Sequence, residues 1–283
     1  MGITTIIDGR AISNDIRATL KQTIASHSKT SKRPPHLVVF LVGNDPASMS
    51  YVRFKKRAAK DVGIKSTVYH FESSINQSTL IDKIHCLNKD ESVHGIMVQL
   101  PLPNHFDRNP VIEAIDPSKD VDALHPLNIA KLHTLQDCFL PCTPKGIITL
   151  LNTHHIPIQG QHAVVIGRSN LVGKPIAQLL LKENASVSIT HRYTKDLTAI
   201  TKQADILISA VGKANFVTKD MVKEGAVCID VGLSRVNQKL TGDFDFDALI
   251  NHASYITQAP GGVGPMTVTS LLENTWLSYL NHI

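Results

Sequence analysis

The sequence has no Cys-x-x-Cys pair: its 4 cysteines, Cys86, Cys138, Cys142 and Cys228, are scattered along 283 residues. That scatter excludes a small disulfide-framed scaffold and favours a reducing compartment, so the expected location is cytoplasmic. No charged-then-apolar leader with a small-residue cleavage site opens the text. Long apolar runs are missing too. The longest, such as LVVFLVG and AVVIG, stop far short of the roughly 20 residues a membrane-spanning helix needs, and no membrane role is expected. There are 14 histidines but no HExxH or paired Cys/His spacing, and His154-His155 are adjacent on a Pro-flanked stretch, so no metal site is expected. Lysine and arginine exceed the acids, 29 to 24, for a net charge of +5 without any basic tail. Small anions explain that spread excess better than nucleic acid does.

What is present is an ordinary globular mix, 42% hydrophobic and 19% charged, in a chain long enough for two domains with cores of their own. Short β-branched runs at His36–Val42, Thr67–Phe71 and Gly95–Leu100 alternate with helical patterns around Tyr51–Val62 and Gln77–Leu87. The second half repeats the alternation at Ala163–Ile166, Val187–Thr190, Ile206–Val211 and Val227–Val231. Strand-helix alternation with near-continuous apolar strands predicts an α/β fold with parallel sheets covered on both faces. From about Asp116 to Pro144 the text turns to Pro, Asp, His and Asn, which places the domain boundary there. The expected division is a first domain over 1–122, a connection over 123–143 and a second domain over 144–265. A helix over 266–283 is expected to return to the first.

One lysine stands out. Asp45-Pro46 is a helix start and Gly63 a helix stop, which predicts a helix over Pro46–Val62. At about 100° per residue, Ser48, Tyr51, Val52, Ala58, Ala59 and Val62 share the stripe of Lys55, while the other cations point elsewhere. The bland reading is a lysine whose stem covers apolar surface while its ammonium reaches water. The sharper reading is a desolvated amine. Lowering a lysine pKa from about 10.4 to near 7 takes roughly 4–5 kcal/mol of differential interaction, and the product is a general base usable at neutral pH.

In the second half the strand HAVVIG runs into Gly167-Arg168-Ser169-Asn170-Leu171-Val172-Gly173-Lys174-Pro175 and then a helix. A Gly-bounded turn into a helix N-terminus is an anion site, though Ser169 at the second glycine position weakens the dinucleotide fingerprint. After the next strand, where a carboxylate would select NAD, the chain carries Thr190-His191-Arg192-Tyr193. Arginine there can hold a 2′-phosphate through paired charge-assisted bonds, so NADP is the expected cofactor, with Arg168 and Arg192 as its clamps. An ordinary tight turn and a solvated loop arginine remain the alternatives at this point.

Ten segments in order complete the reading: IDGRAIS, VGNDPASMSYVRFKKRAAKDVGI, GIMVQLPLP, PSKDVDALHPLN, PCTPKG, GRSNLVGKP, THRYTKDL, ADILISAVGK, CIDVG and APGGVGPMT. Their order and spacing closely resemble the bifunctional methylenetetrahydrofolate dehydrogenase/methenyltetrahydrofolate cyclohydrolase family, almost end to end. The resemblance implies two domains, an N-terminal catalytic domain and a C-terminal Rossmann-type NADP domain, with the folate in a cleft beside the nicotinamide. It makes Lys55 the central catalytic residue, Tyr51 the residue that orients the folate and packs beside it, Gln99 the support of the lysine and Asp122 the group that grips the pterin. It adds Ser48, Leu100, Gly262 and Pro265 on the folate side. On the nucleotide side it adds Gly167, Ser169, Val172, Gly173, Val211, Gly212 and Gly232. A homodimer working in one-carbon metabolism, upstream of purine biosynthesis, is the implied setting.

The sequence departs from the family pattern at Ala123, where glycine is usual, and at Gln258-Ala259, in place of Pro-Val. Lys55-Lys56-Arg57 replaces lysine-x-lysine, and Thr190 and Arg192 stand where many relatives have Cys and Ser. None of these removes a proposed catalytic group. Another NADP-dependent Rossmann enzyme, such as a keto-acid or shikimate-type dehydrogenase, would not need Tyr51, Lys55, Gln99 and Asp122 together. A dehydrogenase without cyclohydrolase activity would use the same residues. A non-enzymatic anion binder would bind nucleic acid in a steeply salt-sensitive way and ignore folate.

Overall fold

A computed structural model describes residues 3–27, 33–237 and 239–282. Strand β1 (Thr5–Ile7) and helix α1 (Gly9–His27) precede β2 (His36–Val42), α2 (Pro46–Val62), β3 (Lys65–Phe71), α3 (Gln77–Asn88) and β4 (Gly95–Val98). Helices α4 (Arg108–Glu113), α5 (Pro126–His133) and α6 (Cys142–Thr153) follow. The alternation resumes with β5 (His162–Ile166), α7 (Gly173–Lys182), β6 (Ser186–Thr190), α8 (Leu197–Thr201), β7 (Ile206–Ser209) and β8 (Val227–Asp230). A hairpin of β9 (Ser234–Val236) and β10 (Lys239–Thr241), α9 (Phe246–Leu249), β11 (Tyr255–Thr257) and α10 (Val263–Asn281) complete the chain.

The chain forms two compact units. One holds Asp15–Cys142 with Val268–Ile283; the other holds Met1–Asn14 with Thr143–Thr267. In the first unit the parallel sheet runs β3-β2-β4, and every residue of β2 and of β4 is buried. Such strands read as unbroken apolar runs because helices cover both faces. One cluster packs Val52, Ala58, Ala59 and Val62 of α2 against Leu37, Val39 and Leu41, together with Leu271 and Leu272 of α10. The other face packs Leu80, Ile84 and Leu87 of α3 against Val38, Phe40 and Val42. The alternating sides of β2 thus serve two separate layers.

The second unit has a six-stranded parallel sheet in the order β1-β11-β8-β7-β5-β6. The chain leaves β5 for β6 on one side and returns to β7 on the other, so the order reverses at β5. That makes a crevice at the carboxyl ends of β5 and β7, the place where open α/β sheets bind ligands. The three-stranded sheet has the same reversal about β2, with the carboxyl ends of β2 and β4 side by side.

Two features differ from the expected division at 1–122 and 123–143. Residues before Asp15 group with the larger sheet: β1 pairs in register with β11, and Thr4 Oγ1 donates to the Ala253 carbonyl at 2.7 Å. A three-residue strand is too short to show a period, so nothing in the text announced this pairing. The expected connection is itself structured, because α5 buries Asn128 and Leu132, and the unit runs on to Cys142. Polar composition there reflects side chains used for hydrogen bonds rather than a linker.

Candidate functional site

Helix α2 begins as its caps dictate. The Asp45 carboxylate accepts the Ser48 N–H at 2.7 Å, Pro46 opens the first turn, and Gly63 closes the helix at φ 89°. Its buried face is Ser48, Val52, Lys55, Ala58, Ala59 and Val62, the stripe read from the sequence, with Tyr51 at its rim at 36% exposure. Lys55 is only 5% exposed. Its ammonium does not reach outward along the helix; Nζ donates to Gln99 Oε1 at 3.0 Å and lies 3.6 Å from Met97 Sδ and 5.0 Å from the centre of the Tyr51 ring. Gln99 follows β4 directly, and its Nε2 donates to the Leu100 carbonyl at 2.7 Å. Only one amide orientation satisfies both bonds, so the oxygen is held toward the lysine. Leu100-Pro101 is cis.

Burial pushes the Lys55 pKa below the ordinary lysine value, against the opposing pull of Asp122 and, when ionised, Cys142. Gln99 supplies an acceptor without adding a charge that would restore the ammonium. The desolvated reading of this lysine therefore holds, and the water-reaching one does not.

Asp122 is half-buried on a turn fixed by its neighbour Asp120. Asp120 is buried; its Oδ2 accepts the His125 N–H at 2.8 Å and Asn128 Nδ2 at 2.9 Å, and burial raises its pKa above the usual carboxylate range. The turn closes with the Ala123 N–H on the Asp120 carbonyl at 3.1 Å, and Ala123 takes φ 58°. That left-handed conformation explains why glycine is usual at this position: an alanine there costs about 1–2 kcal/mol. Glycine regains this but gives the unfolded chain about 0.5–1 kcal/mol of extra freedom. Ala123→Gly should therefore raise stability by about 0–1.5 kcal/mol in thermal unfolding, by that difference.

The nucleotide candidates lie on the second unit. Gly167 (φ 119°) ends β5, and a Cβ there would stand 2.8 Å from the Ala210 carbonyl oxygen; at Gly173 it would stand 2.1 Å from the Gly167 oxygen. These two glycines let the turn close tightly on itself and on the β7 loop. Ser169 Oγ accepts from the N–H groups of Val172 and Gly173 at 3.1 and 3.3 Å, which explains a serine at the second glycine position. Arg168 and Arg192 come together at one ring: their guanidinium carbons lie 5.8 and 4.7 Å from the centre of Tyr193, and Arg192 Nη2 donates to the Tyr193 hydroxyl at 2.7 Å. Two exposed cations gathered by a tyrosine, beside a strand end without a carboxylate, fit the 2′-phosphate of NADP. Gly262 and Pro265 belong to this unit, at the start of α10; the Gly262 carbonyl lies against Gly9, where a Cβ would meet it at 1.9 Å.

Sequence reasoning missed two buried carboxylates, Asp230 and Asp243. Asp230 Oδ1 accepts the Asp243 N–H at 2.9 Å and its Oδ2 the Phe244 N–H at 3.1 Å. A Cβ at Gly232 would fall 1.9 Å from Asp243 Oδ1, and one at Gly242 1.9 Å from Asp230 Oδ2. Each aspartate is accommodated by a glycine beside its partner, and the Asp-Val-Gly and Gly-Asp pairs in the text were the available signal. Val211 and Gly212 also meet Asp243, through their N–H groups.

Burial, with the Asp243 charge adding to it, pushes the Asp230 pKa up to about 7. The folded state then holds a proton that the unfolded chain releases near pH 3.9, so stability falls as pH rises from about 4 to about 7. By linkage the loss attributable to this group is about 4 kcal/mol. Asp230→Asn should remove most of that slope, seen as a smaller difference in denaturation midpoint between pH 5 and pH 8, on the order of a few kcal/mol less. An unchanged slope would place the titrating group elsewhere.

Comparison with known proteins bears on the same residues. Residues 7–122 match the family model for the tetrahydrofolate dehydrogenase/cyclohydrolase catalytic domain, and residues 141–283 match that for its NAD(P)-binding domain. "Bifunctional protein FolD" of Streptococcus agalactiae is 50% identical over 282 residues, covering 99% of each chain. Among solved structures, the bifunctional FolD dehydrogenase/cyclohydrolase of Campylobacter jejuni is 46% identical with a TM-score of 0.97, covering 99% of this chain and 100% of that one. The Trypanosoma brucei enzyme, complexed with NADP cofactor and inhibitor, is 36% identical with a TM-score of 0.96 and 99% coverage of both chains. A merely Rossmann-like dehydrogenase or an anion-binding module would match neither family model, and this chain belongs to the tetrahydrofolate dehydrogenase/cyclohydrolase family.

Proposed function

We propose that this protein oxidises 5,10-methylenetetrahydrofolate to the methenyl cation with NADP+, and then hydrolyses that cation to 10-formyltetrahydrofolate. The observation that carries the reading is the buried Lys55 amine, held on Gln99 Oε1 at 3.0 Å and lowered in pKa by burial. When bound, NADP+ supplies the acceptor for the hydride leaving the methylene carbon. Gly167, Arg168, Ser169, Val172, Gly173, Arg192, Val211, Gly212 and Gly232 form the proposed nucleotide side.

Asp122 accepts paired bonds from the pterin ring N–H and its amino group, which fixes the folate in one orientation. Tyr51, half out of the core, offers its ring as a wall beside the amine, and Ser48, Leu100, Gly262 and Pro265 complete the proposed folate contacts. In the second step a water molecule adds its oxygen to the methenyl carbon and gives a proton to neutral Lys55 Nζ. The bond from that carbon to N5 then breaks and its electron pair stays on nitrogen, where the lysine returns the proton; the added hydroxyl gives up its own proton to solvent as the formyl C=O forms, so cation and water become the neutral formyl product and one released proton. A neutral amine is required, because an ammonium would repel the cationic intermediate.

Two assays on the purified protein test the reading: NADPH formation from the methylene substrate, and loss of methenyl absorbance without nucleotide. Both activities are expected. Dehydrogenation alone would make it a monofunctional relative, and neither would overturn the assignment. A homodimer in the cytoplasm is the proposed setting, in line with the prevalence of two-fold pairs; light scattering giving a monomer mass at micromolar concentration would refute the dimer. Among the described residues no helix is long and apolar enough to cross a membrane.

A further inference from the structure

We propose that Asp243 is a positioning residue for the nucleotide: its carboxylate sets the backbone of the loop Val211-Gly212-Lys213, and through that loop the affinity for NADP. This rests on the NADP reading above. Asp243 is fully buried, so it has no surface to offer a ligand. Yet its two oxygens gather four donors from one short stretch. Oδ2 accepts Ser209 Oγ at 2.8 Å, the Val211 N–H at 2.8 Å and the Gly212 N–H at 3.3 Å, and Oδ1 accepts the Lys213 N–H at 2.7 Å.

Three successive N–H groups converging on one anion make a nest, a shape that needs a left-handed residue, supplied here by Gly212 at φ 69°. The loop lies at the reversal point of the sheet, directly after β7. Its N–H groups are committed inward, while Val211, Gly212 and Lys213 are exposed. Ser234 Oγ ties down the Gly212 carbonyl from the other side at 2.6 Å. The preceding residue, Ala210, packs its carbonyl against Gly167, so a displaced loop would displace the phosphate turn as well.

The anion is itself anchored. The Asp243 N–H is held by Asp230, Val217 pairs with Phe244, and Gly232 leaves room for the carboxylate. Ordering a free three-residue loop at the moment of binding would cost backbone conformational entropy. Asp243 removes that cost in advance, which is preorganisation rather than contact.

The test is Asp243→Asn, which keeps the size but offers one acceptor oxygen and turns an NH2 group toward N–H donors. NADP+ binding is read directly by calorimetric titration, alongside KM and kcat for dehydrogenation. Hydrolysis of the methenyl substrate, which uses no nucleotide, reports the fold of the folate half. The expected result is an NADP+ dissociation constant and KM raised about tenfold or more, with kcat and hydrolysis changed less than about threefold. Unchanged NADP+ binding in a folded variant overturns the proposal, and so does a parallel fall of binding and hydrolysis. If the variant does not fold, Ser209→Ala decides: removing one donor should weaken NADP+ binding about two- to fivefold, and unchanged binding overturns the proposal. Wild-type protein that binds no NADP+ would overturn the cofactor reading, and this inference with it.

Discussion

Lys55→Met is expected to lower methenyl hydrolysis about a thousandfold or more, within the range for losing a positioned acid/base group. Dehydrogenation should fall less, by about tenfold, because that step moves a hydride and no proton; its loss measures orientation only. Methionine is close in volume to lysine and replaces a residue that is 5% exposed, whose amine is already 3.6 Å from Met97 Sδ. Packing is therefore kept and the cost of burying a polar group is removed, so thermal stability should hold or rise. Activity and stability then move in opposite directions, which a damaged fold cannot produce. The wild-type pH profile carries the same signature. Hydrolysis should decline as pH falls through the depressed Lys55 pKa, since the amine becomes an ammonium that can neither take a proton nor tolerate the cation. A variant retaining wild-type hydrolysis would remove Lys55 from the chemistry altogether.

Helix α2 was legible because everything that defines it is local. Asp45, Pro46 and Gly63 set its ends, and a period of about 3.6 residues sets its face, so Lys55 could be placed on the buried stripe from the text alone. The partner that holds the lysine amine was not legible in the same way. Gln99 is 44 residues away, and only the parallel pairing of β2 with β4 brings it to 3.0 Å. Tyr51 illustrates the middle case: the wheel put it on the stripe, but not at the rim where its ring is half-exposed.

In the nucleotide half the family resemblance alone assigns Gly232 to the cofactor side. For Gly232 the structure gives a different neighbour, the Asp243 carboxylate, which needs the space a Cβ would fill. Such pairs join segments through backbone N–H groups, and these leave no trace in side-chain periodicity. The same holds for β1 and β11: three residues each carry no period, and the pairing is visible only once the sheet exists. Local signals revealed what each segment is, and tertiary closure decided what it touches.

Arg192→Glu is the sharpest test of cofactor choice. Arg192 is exposed and shares Tyr193 with Arg168, so its substitution leaves the core untouched and should change stability by about 0.5 kcal/mol or less. A charge-assisted hydrogen bond to a phosphate contributes about 1.5–3 kcal/mol, and a carboxylate placed opposite a dianion adds repulsion on top. The combined loss is about 1.5–3 kcal/mol or more, which predicts a KM for NADP+ raised at least about tenfold and toward a hundredfold. NAD+ has no 2′-phosphate, so its KM should stay within about threefold, and the preference between the two nucleotides should narrow or reverse. Raising the salt concentration should weaken NADP+ binding to the wild type more than to the variant, because the arginine pair is screened by ions and the glutamate removes its attraction. If the two nucleotides instead shift together, Arg192 is a solvated loop charge, and Arg168 on the same ring becomes the group that reads the phosphate.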